Sequence, residues 1–319
     1  MKAPLGPARV HCYGIMVLDA LCGPLPHYPV PKVEVQVNVR QVRLQPGGGA
    51  ANSAAALAQI GLPVSLFTKI GTDAVGDLAL QQIGRYGVDT DGVIRSDTES
   101  TPFTFVGVHP DGERSFVHVP GANRSLRVSD FPEGRLLAAP FLFYQDQWVL
   151  PASDGQPGAE LLAKARARGV VTLLDECWGL GPRADTLEAM LPHVDYVLPS
   201  YDDLLAIYPG LDPAAMGTHL RHLGAGCAVL KLGPRGCLVC DGGEPLAVPS
   251  CAGTIVDTTG AGDCFDAGFI AGLAHGLAAR EAAVLGNRAA AACIAHVGGA
   301  CGIPSYATLC LERGPFWPS

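Results

Sequence analysis

Asp257-Thr-Thr-Gly-Ala-Gly-Asp-Cys-Phe-Asp-Ala-Gly268 is the most informative segment of this 319-residue sequence. Gly260 and Gly262 lead directly into an apolar run that predicts a helix. The amides at a helix N-terminus lack acceptors within the helix and lie at the positive end of its dipole, so they bind anions. Asp263 is either a simple cap of this helix or a general base placed against a transferring phosphoryl group. Spacing alone leaves both interpretations open.

A second glycine-rich segment, Gly47-Gly-Gly-Ala-Ala-Asn-Ser-Ala54, also precedes a predicted helix. Consecutive glycines let the backbone approach a ligand closely and adopt conformations barred to other residues. The Asn52 side chain donates and accepts hydrogen bonds, which suits a ligand with hydroxyl groups. The alternative is a loop that only joins a strand to a helix, with Asn52 near the cap.

Short apolar runs alternate with helical patterns along most of the chain. This alternation is typical of a parallel sheet covered on both faces, so the sequence predicts an α/β fold. The predicted strands are Val10–Val17, Val64–Ile70, Phe141–Gln145, Val170–Asp175, Tyr196–Leu198, Ala228–Leu232 and Gly236–Cys240. The predicted helices are Ala50–Ile60, Gly76–Tyr86, Gly158–Arg168, Asp202–Tyr208, Pro213–Leu223, Gly262–His275 and Arg280–His296.

Two segments interrupt this alternation and predict a small, separate antiparallel sheet. Lys32–Leu44 alternates apolar and polar residues in its first half, as a half-buried strand does. Pro102–Val119 predicts a hairpin with strands Phe103–Val108 and Arg114–Val119 around the turn Pro110–Glu113. The apolar face of such a sheet must cover something, either a substrate or another subunit.

Charge and composition narrow the class of protein. The formal net charge is −8 at pH 7, which disfavours a nucleic-acid partner because a nucleic-acid backbone rewards basic patches. It does not disfavour ATP, whose phosphates are held by backbone amides and Mg²⁺. No apolar run is long enough for a membrane span. Without a secretory signal, the 11 cysteines are expected to be reduced thiols in a cytoplasmic protein.

Missing motifs exclude several other classes. The sequence has no Gly-x-x-x-x-Gly-Lys-Ser/Thr loop, no protein-kinase motif set and no Gly-x-Gly-x-x-Gly after the first predicted strand. His219 and His222 lack a third ligand for zinc. Cys237 and Cys240 lie three apart on a predicted strand, so they are expected to face opposite sides and pack in the core.

Taken together, the two glycine-rich segments resemble the two signatures of the PfkB (ribokinase-like) family of carbohydrate kinases. The segment from Asp257 to Gly268 resembles the downstream signature throughout. The upstream signature is matched at Gly47, Gly48, Asn52, Gly61 and Gly71. The resemblance implies a ribokinase-like three-layer α/β/α fold with a mostly parallel central sheet and a small β-sheet lid over the sugar. It also implies one kinase domain over residues 1–319, with lid strands from about residues 20–45 and 100–120.

The resemblance assigns roles to individual residues. Asp263 matches the base that accepts the proton of the reacting hydroxyl, and Gly260, Ala261 and Gly262 match the anion hole for the γ-phosphate. The residues that match substrate ligands are Asp19, at the end of the first predicted strand, Gly48, Gly49, Asn52 and Asn123. The residues that match the nucleotide-binding segments are Lys231, Gly233, Gly236 and Asn287.

The metal-binding part of the resemblance is less complete. The family's Asn-x-x-Glu motif, which organises Mg²⁺, corresponds here to Ser200-Tyr-Asp-Asp203. The shorter acid Asp203 is still able to hold Mg²⁺ through a water. Some members bind K⁺ beside the anion hole, and Asp257 and Thr259 occupy the matching positions.

The implied function is ATP-dependent phosphorylation of a hydroxyl of a sugar or sugar derivative, with ATP and Mg²⁺ as cofactors. One alternative is an adenosine-type nucleoside kinase, with Phe103, Phe105 or Phe116 stacking on the base. A second is a nucleotide-binding regulatory protein without turnover, which the altered Ser200–Asp203 segment would favour. Ribokinases commonly carry a lysine in the glycine loop, and Gly47–Gly49 has none, so ribose is not the favoured acceptor. The apolar lid face favours a homodimer through the lid.

Overall fold

The computed structural model describes residues 8–29, 32–33, 36–110, 114–177, 181–251 and 253–311. Within these residues, nine strands form one large sheet in the order β13-β12-β11-β10-β9-β8-β1-β4-β5. Neighbours from β11 to β5 are parallel, while β11, β12 and β13 pair antiparallel. The strands are β1 (Val10–Tyr13), β4 (Val64–Gly71), β5 (Val93–Ser96), β8 (Phe141–Gln147), β9 (Val171–Glu176), β10 (Tyr196–Val197), β11 (Cys227–Lys231), β12 (Cys237–Cys240) and β13 (Leu246–Val248).

Helices cover both faces of the large sheet and bury its apolar strands. One hydrophobic cluster packs α1, α8 and α9 on one face, and a second packs α4, α5 and α7 on the other. The three-layer α/β/α prediction is confirmed. The helices are α1 (Gly49–Ile60), α2 (Ala74–Gly84), α3 (Glu133–Leu136), α4 (Gln156–Ala167), α5 (Ala184–Met190), α6 (Tyr201–Leu204), α7 (Pro213–His222), α8 (Ala261–Ala274), α9 (Ala279–Ile294) and α10 (Tyr306–Leu311).

A four-stranded small sheet has the order β3-β2-β6-β7 among the described residues. Its strands are β2 (Val17–Gly23), β3 (Gln41–Gly47), β6 (Phe103–Val108) and β7 (Arg114–Val119). The two hairpin strands have the predicted bounds, while turn residues 111–113 lie outside the described residues. We call these four strands the small sheet.

The predicted first strand, Val10–Val17, is wrong as a single element. It divides into β1, in the large sheet, and β2, in the small sheet. Between them the chain leaves the large sheet at Gly14, where a Cβ would come within 2.5 Å of an Asp146 carboxylate oxygen. Asp19 therefore lies inside a strand of the small sheet and not at the end of the first strand of the core.

The predicted strand Lys32–Leu44 is wrong over most of its length. β3 begins only at Gln41, which pairs with Gly23, the last residue of β2. Residues before 41 have no strand of the small sheet opposite them, so residues 36–40 are irregular despite their alternation. Residues 34 and 35 lie outside the described residues.

Cys237 and Cys240 show how the large sheet separates the two cores. Both thiols are buried on β12, and each packs into a different hydrophobic cluster, as predicted.

Across the described residues, no helix combines the length and apolar character that a bilayer span requires.

Candidate active site

Helix α8 starts immediately after a left-handed residue, Gly260. This glycine has φ 72° and ψ 6°, and a Cβ there would collide with the carbonyl oxygen of Gly299. Only glycine fits this turn without displacing the neighbouring chain. The turn presents the N-terminus of a 14-residue helix, with its positive dipole end, to the adjacent cleft. The Ala261 amide also donates to the Thr258 carbonyl at 3.2 Å.

Asp263 lies in the first turn of α8 and does not cap the helix. The N-cap position is Gly260, and no side chain caps there. Instead, Asp263 Oδ1 accepts a hydrogen bond from Gln145 Nε2, and Oδ2 accepts one from Asn52 Nδ2, both at 2.8 Å. Burial raises the pKa of Asp263 to about 6, although Asn52 and the Lys231 ammonium lower it. The carboxylate is therefore ionised at neutral pH and close to the pKa range of an effective general base.

The predicted substrate loop is fixed by a buried carboxylate that follows Gln145. Asp146 accepts backbone hydrogen bonds from Ile15 at 2.8 Å, Gly49 at 3.0 Å and Ala50 at 2.9 Å. Burial raises the pKa of Asp146 to about 8 despite these three donors. A Cβ on Gly49 would collide with this carboxylate. The glycines of this loop thus allow it to wrap closely around Asp146.

Asn52 lies close to the N-cap of its helix, as one interpretation of the sequence had it, but its side chain does not cap the helix. It lies in the first turn of α1, whose N-cap is Gly48, with φ 88° and ψ 141°. While its Nδ2 contacts Asp263, its buried Oδ1 has no hydrogen-bond partner within the described residues. The oxygens of Asn123 and Gln145 are in the same situation.

The remaining predicted substrate residues lie along the crossover from β1 to β2. Asn123 is buried and its Nδ2 donates to the Met16 carbonyl at 3.3 Å. Asp19 stands opposite Thr104 of β6, and a Cβ at Gly47 would collide with its carboxylate. Burial raises the pKa of Asp19 to about 6, while a hydrogen bond from Thr104 and the charge of Arg114 lower it.

The four predicted nucleotide residues line one cleft of about 350 Å³, together with Ala261 and Gly262. Its floor is largely apolar, with Phe265, Ala290 and Ile294 among the lining residues. Asn287 uses its Nδ2 to hold the segment after β13, donating to the carbonyls of Val248 at 3.1 Å and Pro249 at 3.0 Å. Its placement fixes the wall of the cleft.

Lys231 links the cleft to a buried acidic group. Its ammonium lies 2.8 Å from Asp175 Oδ2 and 3.3 Å from Asp266 Oδ2. Burial alone would lower the pKa of Lys231, but the carboxylates of Asp175, Asp266 and Glu176 raise it. Oxygens of Asp175, Asp263 and Asp266 lie within 4.8 Å of one another. The ammonium therefore offsets charge directly beside Asp263.

The predicted magnesium segment, Ser200–Asp203, contacts an acidic residue that was not predicted from the sequence. Glu176, the last residue of β9, accepts a hydrogen bond from the Ser200 amide at 2.7 Å. Burial and the neighbouring Asp175 raise the pKa of Glu176 well above its usual range. Burial and Asp175 also raise the pKa of Asp203. Asp175, Glu176 and Asp203 thus form one electrostatically coupled group.

Asp257 and Thr259, the predicted K⁺ residues, lie together beside the predicted anion hole. Asp257 Oδ1 accepts from the Thr259 amide and Oδ2 from the Gly298 amide, both at 2.8 Å. The guanidinium of Arg114, from the small sheet, contacts both the Asp257 carboxylate and the Thr259 hydroxyl. A K⁺ at this carboxylate would be next to a like charge, so the residues present do not fit K⁺ while Arg114 is in place.

The fold and this arrangement agree with comparisons to known proteins. Residues 7–305 match the family model described as pfkB family carbohydrate kinase. The chain belongs to the pfkB family.

Relatives of known name cover most of the chain. A ribokinase of Haemophilus influenzae is 27% identical over 268 residues, which are 81% of this chain and 84% of that protein. An ATP-dependent ribose-1-phosphate kinase of Halopiger xanaduensis is 29% identical over 259 residues, 76% of this chain and 78% of that protein. The solved ribokinase of Arabidopsis thaliana, complexed with ribose and ATP, has the same fold. Its TM-score is 0.81 at 24% identity, covering 96% of this chain and 98% of that chain.

The structure brings together residues of the two PfkB signatures that lie more than a hundred positions apart in the sequence. Asn52 and Asp263 are direct partners, whereas Asp19 lies in β2 and Asn123 contacts the crossover at Met16. Three contacts were missed: Gln145 on Asp263, Glu176 on Ser200 and Arg114 on Asp257. The polar run Gln145-Asp-Gln147, at the end of an otherwise apolar strand, was a signal for the first of these.

Proposed function

We propose that this PfkB-family protein transfers the γ-phosphoryl group of ATP to a hydroxyl of a sugar or sugar derivative. The observation that carries the proposal is the environment of Asp263. Both carboxylate oxygens accept side-chain amides at 2.8 Å, in the first turn of a helix whose N-terminus lines a cleft. A base next to an anion-binding helix end is the arrangement that phosphoryl transfer to a hydroxyl needs.

Phosphoryl transfer requires mainly that the protein position the reactants and stabilise the negative charge of the transferring group. In the proposed mechanism, Asp263 accepts the proton of the attacking hydroxyl. The amides of Gly260, Ala261 and Gly262 face the negative charge that spreads over the equatorial oxygens of the phosphoryl group. The turn at Gly260 fixes the amides of Gly260 and Gly262, which need no reorganisation during the reaction, whereas the Ala261 amide exchanges the Thr258 carbonyl for a phosphoryl oxygen.

ATP is the proposed donor, held by the cleft that Lys231, Gly233, Gly236 and Asn287 line. Its largely apolar lining suits a purine ring, and Ala261 and Gly262, at the N-terminus of α8, line it too. The relative from Halopiger xanaduensis, an ATP-dependent kinase by name, supports this donor.

Mg²⁺ is the proposed metal, and the carboxylates present fit it. Mg²⁺ prefers carboxylate oxygens and water, and Asp175 Oδ1 is buried without a hydrogen-bond partner in the described part of the chain. Asp203, directly or through water, and Asp175 and Glu176 are the proposed residues for this role. When bound, Mg²⁺ neutralises charge on the ATP phosphates.

The acceptor is proposed to be a neutral polyhydroxyl compound. Gly48 and Gly49 let it lie against the backbone. Asn52 and Asn123 offer buried side-chain oxygens without a partner in the described residues, and Asp19 offers its carboxylate. The anionic Asp19 disfavours an acceptor with its own negative charge at that end. The small sheet would act as the lid of one kinase domain and exclude water from the reaction.

The test is acceptor-dependent release of ADP from Mg-ATP, measured with ketoses, aldoses, sugar acids and nucleosides. Release with one class of neutral sugar supports the proposal. Release with nucleosides alone would establish the nucleoside-kinase alternative instead. ATP binding without release for any acceptor would identify a nucleotide-binding protein without turnover and contradict the proposal.

We also propose that two copies associate through the small sheet. Its two edge strands, β3 and β7, carry apolar side chains that are exposed to water. These side chains, each between 39% and 62% exposed, are Val42 and Leu44 on β3 and Phe116, Val117 and Val119 on β7. Light scattering should give the mass of a dimer for the wild type and of a monomer for Val42→Lys. A monomeric wild type would contradict this.

A further inference from the structure

Arg114 reaches from the small sheet into the loop that precedes helix α8. It is the first residue of β7, yet its guanidinium makes an ion pair with Asp257 Oδ2 and donates to Thr259 Oγ1. The side chains of Arg114 and Asp257 are only 15% and 1% exposed. A pair so removed from water is held by geometry and charge and is little weakened by salt.

The Asp257 carboxylate ties three parts of the chain together. It accepts the amides of Thr259, in the loop before α8, and of Gly298, in the segment after α9. Arg114 adds the small sheet. Burial alone would raise the pKa of Asp257, but the two amides and Arg114 lower it. Arg114 thus places a positive charge beside a buried carboxylate that two amides also hold.

The loop that this network holds is the loop that forms the proposed anion hole. Thr259 directly precedes Gly260, and Gly260 packs so closely on Gly299 that no Cβ fits between them. A shift of Asp257 or Gly298 would therefore move the amides of Gly260–Gly262. Some members of the family place K⁺ beside these residues, but in this chain a guanidinium already contacts both the carboxylate and the Thr259 hydroxyl.

We propose that Arg114 takes the place of the monovalent cation, so that its contact with Asp257 and Thr259 completes the anion hole and the reaction needs no K⁺. The inference rests on the proposed kinase function. Arg114 acts as a positioning residue: it holds Asp257 and Thr259, and through them the amides that face the phosphoryl group. A guanidinium is suited to this because its planar donors bind a carboxylate and a second oxygen at once.

The first experiment measures kcat/KM with the best acceptor in K⁺-free buffer, and then with K⁺ or Na⁺ at constant ionic strength. The wild-type rate should change by less than about twofold with either ion, since the charge is already supplied. Arg114→Gln should lose roughly 100-fold without K⁺, and K⁺ but not Na⁺ should restore most of that loss. Arg114→Lys, which keeps the charge, should remain active without K⁺. Arg40→Gln, on an exposed arginine that precedes β3, is the matched control and should behave as wild type.

Two results would overturn the inference. One is selective stimulation of the wild type by K⁺ over Na⁺. The other is an equal loss in Arg114→Gln and Arg114→Lys that K⁺ does not reverse, because Arg114 would then matter for its shape and not for its charge.

A binding measurement separates this inference from the kinase proposal. In thermal unfolding, K⁺ relative to Na⁺ should raise the Tm of Arg114→Gln but leave that of the wild type unchanged. If no acceptor is turned over, the kinase proposal fails while this shift still tests the cation site. A Tm that responds to K⁺ in the wild type, or in neither protein, would contradict the replacement of K⁺ by Arg114.

Discussion

Gln145 at the end of strand β8 donates a hydrogen bond of 2.8 Å to Asp263 in the first turn of helix α8. The residues are 118 positions apart, and the contact joins the central sheet to the helix that follows the proposed anion hole. Together with Asn52 on the other carboxylate oxygen, it fixes both the direction and the charge of the proposed base.

The acid limb of the profile of kcat/KM against pH should report the environment of Asp263. Because the pKa of Asp263 is raised to about 6 by burial, kcat/KM should fall as pH drops through about 6, when the base becomes protonated. Gln145→Leu removes a donor that favours the ionised form, so the limb should move up by roughly one pH unit. Gln147→Leu is the control, because Gln147 contacts Thr186 and not Asp263. An unchanged limb in Gln145→Leu would exclude the Asp263–Gln145 contact as its origin.

The turn at Gly260 should tolerate no side chain. Gly260→Ala combines a positive φ with a collision against the Gly299 carbonyl, so it should lower kcat by roughly 100-fold through displacement of the amides. Gly276→Ala has a similar φ of 83° but nothing within 4 Å of the added Cβ. It should cost about 1 kcal/mol of stability and leave kcat unchanged. Equal kinetic effects of the two substitutions would refute the role of the Gly260 turn.

Lys231 should be needed for stability as well as for binding. Lys231→Met leaves Asp175 and Asp266 buried without their cation, and the free energy of unfolding should fall by about 3–5 kcal/mol at neutral pH. Burial and Asp175 raise the pKa of Asp266. An acid whose pKa is higher in the folded protein than in the unfolded chain destabilises the fold once the pH rises above the unfolded pKa, near 4. The unfolded chain then loses its proton more readily than the folded protein does.

The gap between wild type and Lys231→Met should therefore widen from about pH 5 to about pH 8 in urea unfolding. Lys164→Met removes an exposed ion pair with Glu133 and should change the free energy of unfolding little. A gap that does not depend on pH would argue against an electrostatic origin.

Glu176 should matter for Mg²⁺ although it lies outside the Ser200–Asp203 segment. Glu176→Gln keeps an acceptor for the Ser200 amide but cannot ionise beside a bound metal ion. It should weaken Mn²⁺ binding in the presence of ATP by roughly tenfold, as should Asp203→Asn, measured by electron paramagnetic resonance. Asp202→Asn, on the exposed neighbour, is the matched control. Unaltered Mn²⁺ affinity in both test variants would remove these two carboxylates from the metal site.

The sequence was sufficient for the layers of the fold and for the family, because both depend on local patterns. Apolar strands and helices repeat with clear periods, and the signature glycines are required by close approach, as at Gly260 and Gly49. The strand predicted over Lys32–Leu44 was wrong because alternation does not reveal whether a partner strand is present. β2 ends at Gly23, and this sets where β3 begins.

The site was harder to predict because its contacts depend on how separate elements meet. Arg114 was correctly placed at the start of a hairpin strand, but its contact with Asp257 depends on the orientation of the small sheet relative to the core. In the same way, Glu176 directly follows the predicted strand Val170–Asp175 and was assigned no role. Only the parallel pairing of β9 with β10 brings it to Ser200.

Phosphoryl transfer by Asp263→Asn is the most direct test of the central claim. Transfer from Mg-ATP to the identified acceptor would be followed by rapid quench, with ATP affinity measured in parallel and Asp91→Asn, on an exposed residue, as control. Asp263→Asn should bind ATP as the wild type does and lose at least about 100-fold in the rate of transfer. A rate within about tenfold of wild type, with ATP bound normally, would contradict Asp263 as the base and with it the proposed mechanism.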